Sequence, residues 1–151
     1  MRSIARPPRS SRRILPCVAA LVGIAFTCAA AAQQSYEVRL RPVPIEASTA
    51  AATTGMGEAT AQLTGTQLTI RGSFSGLSGA ATVARLHQGA VKGVRGPAFA
   101  DVTVSAGTSG TVSGDVTLTA AQLEAVRQGH VYLQIHSESA PDGNLWGWLL
   151  P

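Results

Sequence analysis

GHVYLQIHS, residues 129–137, decides the fold. Val131, Leu133 and Ile135 alternate with Tyr132, Gln134 and His136, the period of two that puts successive side chains on opposite faces of a strand. Gly129, just before the run, suits the left-handed position that ends a helix. Upstream, Thr119 stands three residues ahead of Gln122, the spacing of a capping box, and Leu123 and Val126 follow at helical spacing. The spacing thus predicts one short helix feeding a strand. Downstream, PDGNLWGWL, residues 141–149, begins with a Pro-Asp-Gly turn and continues as a last strand over residues 145–149. At period two, Trp146 and Trp148 share one side.

The chain toward the N-terminus repeats the same short-strand pattern. Tyr36, Val38 and Leu40 alternate with polar partners before Pro42 and Pro44, whose missing donors suit a strand end. Residues 58–63 and 67–74 flank Thr64-Gly65-Thr66, a hairpin signal. Gly72 inside the second run predicts a bulge or a close backbone approach. Residues 81–87 read as a strand ending in RLHQG (85–89), followed by a glycine-rich loop over 88–97. Residues 98–104 and 111–118 read as a strand pair. Seven or eight short strands with one helix predict an all-β, antiparallel Greek-key β-sandwich or barrel.

The first thirty-two residues have a different character. Arg2, Arg6, Arg9, Arg12 and Arg13 precede an apolar run over 14–28 and then four alanines before Gln33. This is the layout of a signal peptide over 1–32, and the apolar run is short for a membrane span. Ser11-Arg12-Arg13 is a partial twin-arginine pattern, but Pro16 and Cys17 interrupt it, so general secretion is expected. Five of the twelve basic residues lie in this segment, which leaves seven against eight acidic ones in 33–151. The basic balance of the whole chain is therefore no sign of nucleic-acid binding. Cys17 and Cys28 leave with the segment, so a mature domain over 33–151 is expected to stand without a disulfide in the periplasm or outside the cell.

In order and spacing these residues resemble the CHRD (chordin-type) domain in its single-domain secreted bacterial form. The resemblance rests on Leu40 to Pro44 (L-x-P-V-P), the hairpin over 68–77, A-x-x-A-x-L-H-x-G at 81–89 and Gly96-Pro97. It continues with L-T-x-x-Q at 118–122, Tyr132 with Ile135-His136-Ser137, and 141–149. It implies a β-sandwich related to immunoglobulin-like and copper–zinc superoxide dismutase folds, with no assigned activity. Three positions depart from the family's usual polar set: Arg85 stands where the first histidine of H-I-H is usual, and Asn144 and Trp146 replace a glutamate and an arginine.

The candidate sites are few. His87 and His136 could meet as copper or zinc ligands if their strands are neighbours, with His130, Asp101, Asp142 or Glu138 to complete a shell. The competing reading has both rings hydrogen-bonded to loop backbone, fixing the turns after Gln88 and Ser137. Trp146 and Trp148 either pack on the core or cover the barrel's open end, or form an exposed aromatic platform for a sugar or a partner surface. Arg85, Lys92 and Arg95 could add a basic patch to that surface. No serine lies in a G-x-S-x-G elbow, and no glycine-rich loop precedes a helix as a phosphate site would require.

The expectation is therefore a non-enzymatic, exported binding or cell-envelope structural module without a cofactor, presenting loops 88–97 and 138–143 to an envelope or extracellular protein or glycan. It would touch the membrane only during export. The alternative is a periplasmic copper- or zinc-binding protein that uses His87 and His136.

Overall fold

The computed structural model describes residues 33–44 and 47–151. The signal peptide expected over 1–32, with Cys17 and Cys28, lies outside the described residues. Eight strands and one helix follow in the order β1 (Gln33–Pro42), β2 (Met56–Thr64), β3 (Gln67–Ser75), β4 (Ala81–Gln88), β5 (Ala98–Val104), β6 (Gly110–Thr117), α1 (Ala120–Arg127), β7 (Val131–Ser137) and β8 (Leu145–Trp148). Thr119 caps α1 as its spacing predicts. Its hydroxyl accepts from Gln122 N at 3.3 Å while Gln122 Oε1 accepts from Thr119 N at 2.9 Å. Gly129 follows at φ +71°, a conformation that a Cβ would oppose.

The strands close into a barrel in the order β1-β2-β3-β6-β5-β4-β7-β8, every pair antiparallel. Of the expected sandwich or barrel the structure shows a closed barrel, because two strands change partner along their length. β1 pairs with β2 from Gln33 to Leu40 and then with β8 at Arg41 and Pro42. β5 pairs with β4 between Ala98 and Val102 and with β6 at Thr103 and Val104. These hand-overs join the two sheets at both borders, so the ring has no free edge of the kind that invites pairing with another chain.

Alternation fills the interior. Tyr36, Val38 and Leu40 of β1, Leu68, Ile70 and Phe74 of β3, Leu86 of β4 and Val131, Leu133 and Ile135 of β7 form one buried cluster, joined by Ala125 and Val126 of α1. Gly72 faces inward opposite Ala59 and Val112. The β2–β3 register runs unbroken past it, so of the two expected roles it has close approach rather than a bulge. A Cβ there would lie 2.5 Å from Ala59 Cβ. Gly72→Val should therefore overpack the barrel and lower stability by about 1–3 kcal/mol. Ser73→Val, one residue on and facing out, should stay within about 0.5 kcal/mol of the parent in the same urea titration.

Candidate functional site

β7 is buried along its whole length, on both faces. The inward face belongs to the core. The outward residues Tyr132, Gln134 and His136 are only 1%, 2% and 7% exposed, although they lie on the outside of the barrel. The loops between β4 and β5 and between β7 and β8 fold over them. Gln134 Nε2 donates to Asp142 O at 2.9 Å, and Arg95 Nη1 reaches the same oxygen from the other loop at 3.0 Å. Ser137 and Asn144 pin the second loop from below, with Asn144 Nδ2 donating to Ser137 Oγ at 2.9 Å. Loops 88–97 and 138–143, expected to offer contact surface, are here tied to each other and to β7 as its cover.

The antiparallel register of β4 and β7 brings His87 opposite Tyr132 and places His136 on the same outer face. The His87 ring stacks on Tyr132, with centroids 4.9 Å apart and planes 13° apart, and lies 6.1 Å from the His136 ring. His87 Nδ1 is 2.9 Å from Gly96 O, and His136 Nδ1 is 2.8 Å from Pro141 O. A carbonyl only accepts, so each Nδ1 carries a hydrogen, and in the neutral ring Nε2 keeps a lone pair. Both Nε2 atoms are buried, and no protein group among the described residues satisfies them. Burial holds the His87 pKa below the ordinary 6.5. The Gly96 bond opposes that shift, and the charges of His136, Arg85 and Arg95 add to it.

Of the residues named to complete a metal shell, none joins the pair. Asp101 takes Arg85 in an exposed ion pair at 2.9 Å, a contact that contributes little to stability. Asp142 meets Gln134 and Arg95 through its backbone oxygen, and no group of three or more His, Cys, Asp or Glu stands together among the described residues.

The tryptophans point away from the barrel interior, yet Trp148 is buried. Trp146 and Trp148 sit on the outer face of β8, packed on Tyr132 and on each other at centroid distances of 4.6 to 5.6 Å. Trp146 stays half-buried. Beside them runs a groove of about 400 Å³ lined by Glu37, Arg39, Arg41, Lys92 and both indoles. Arg41 lies directly across from Trp146 in the β1–β8 ladder. No carboxylate among the described residues pairs with Arg39 or Arg41, and both continue into a second depression toward Met56 and Ser73. Of the expected partner surface, the structure thus gathers Lys92, Trp146 and Trp148, while Arg85 and Arg95 are engaged elsewhere. Arg39 and Arg41 escaped the sequence reading. Their signal was the basic outer face of β1, which gains meaning only once β1 meets β8.

A family model described as the CHRD domain matches residues 30–149. No curated protein and no solved structure matches the chain.

The depressed His87 pKa fixes a pH dependence. The unfolded chain binds a proton near pH 6.5 that the folded ring resists, so stability is complete above that pH and declines as the pH falls below it. Urea midpoints measured from pH 8 to pH 5 should show this fall, and His87→Gln should flatten it.

Proposed function

The chain belongs to the CHRD domain family, and from that premise we propose that it is an exported, non-enzymatic binding module of the cell envelope or extracellular space. Export is supported by the arginine-rich start, the apolar run over 14–28 and the alanines before Gln33. A Greek-key winding akin to copper–zinc superoxide dismutase is supported by the strand order, in which β3 lies beside β6 and β4 beside β7. The closed ring suits that winding better than the two open sheets of an immunoglobulin domain.

The observation that carries the reading is the groove along β1 and β8. Indole faces stack on the apolar face of a sugar ring, and a row of guanidinium groups suits carboxylates, which they hold by paired hydrogen bonds. Arg39, Arg41 and Lys92 beside the half-buried Trp146, with Trp148 buried behind it, combine both chemistries along the groove. The ligand class that fits is an acidic glycan. Neither nucleic acid nor a membrane anchor is part of this reading, since residues 33–151 are close to neutral.

Both tryptophans of the chain line the groove, so intrinsic fluorescence reports on it directly. Titration with oligogalacturonate should shift or quench the emission, weaken as salt is raised, and lose about tenfold in affinity in Arg39→Ala/Arg41→Ala. An uncharged glucan should leave the emission unchanged. Emission indifferent to the acidic oligomer would refute the acidic-glycan reading.

A further inference from the structure

Two imidazoles of the described chain have their Nδ1 atoms locked on backbone carbonyls and their Nε2 lone pairs buried without a protein partner. A buried acceptor left unsatisfied destabilises the fold, and here two occur on rings 6.1 Å apart. Histidines that bind metals through one nitrogen commonly donate the other N–H to a backbone carbonyl, which fixes both the tautomer and the ring's orientation. Gly96 O and Pro141 O stand in that role here. A centroid separation of 6.1 Å accommodates one ion bound at about 2 Å by a nitrogen of each ring.

We propose that His87 and His136 hold a single copper(I) ion between their Nε2 atoms. The choice of ion follows from what surrounds the pair. Zinc and copper(II) want four donors or more, and among the described residues no third His, Cys, Asp or Glu stands with these two. A monovalent d¹⁰ ion is content with two nitrogens in line. Tyr132, stacked on His87, and the covering loops keep water away, which preserves the lower oxidation state. The inference is independent of the glycan groove, which uses neither histidine.

The test uses protein purified after expression of the full chain, titrated anaerobically with copper(I) against the chelator bicinchoninate. The expected result is one copper(I) per chain, an X-ray absorption shell of two nitrogens at about 2 Å, and a raised melting temperature. Binding should be lost in His87→Ala and in His136→Ala, and kept in His130→Ala. Should the alanine variants fail to fold, His136→Met serves instead: a thioether keeps copper(I) but alters the absorption shell to one nitrogen and one sulfur. Failure to compete with the chelator, zinc binding of equal strength, or copper binding that survives loss of both histidines would each overturn the assignment. Fluorescence with oligogalacturonate, read on the same samples, keeps this outcome separate from that of the groove.

Discussion

β7 has no solvent face, and most of what is distinctive in this protein follows from that. Its inward side chains are held by the hydrophobic effect, which places Val131, Leu133 and Ile135 in the barrel interior. Its outward side chains carry polar atoms, and burying those is tolerable only when each finds a hydrogen-bond partner. The two covering loops supply the partners from their backbones: Gly96 for His87 and Tyr132, Asp142 for Gln134, and Pro141 for His136. The loops are in turn ordered by these bonds. Strand and cover therefore stand or fall together.

Among the described residues that accounting fails at Nε2 of His87 and of His136, and at Asn144 Oδ1 in the covering loop. Carbonyl oxygens satisfy one nitrogen of each imidazole and, being acceptors only, dictate that the other nitrogen be a buried lone pair. A purely structural use of histidine would be served as well by a residue without the second nitrogen. The copper(I) proposal rests on these unspent lone pairs of neighbouring rings. The Arg85–Asp101 pair lies exposed to one side and contributes charge to the surroundings rather than a ligand.

Ring closure has a second consequence on the opposite flank of β8. Because β1 leaves β2 and joins β8 at Arg41 and Pro42, the first and last strands become neighbours. That junction sets the guanidinium groups of Arg39 and Arg41, without a carboxylate partner among the described residues, against the indoles of Trp146 and Trp148. One face of β8 thus supports two separate assemblies, since Trp148 also packs on Tyr132, which stacks on His87. The tryptophans act as the wall between them.

Local rules sufficed for the elements. Alternation located the strands, Thr119 and Gln122 announced the helix start, and Gly129 its end, because each depends on residues a few positions apart. The family was legible for a similar reason, in motifs strung along the whole chain. Four matters were settled elsewhere: the choice of barrel over sandwich, the close approach at Gly72, the outward direction of both tryptophans, and the folding of the two loops over β7. Each depends on which distant segments meet. The alternation in VYLQIHS says that two faces exist, but whether the second meets water or a folded-back loop is fixed by contacts between residues far apart in the chain. Such contacts are selected by the global balance of burial against unsatisfied polar groups, which no local window contains.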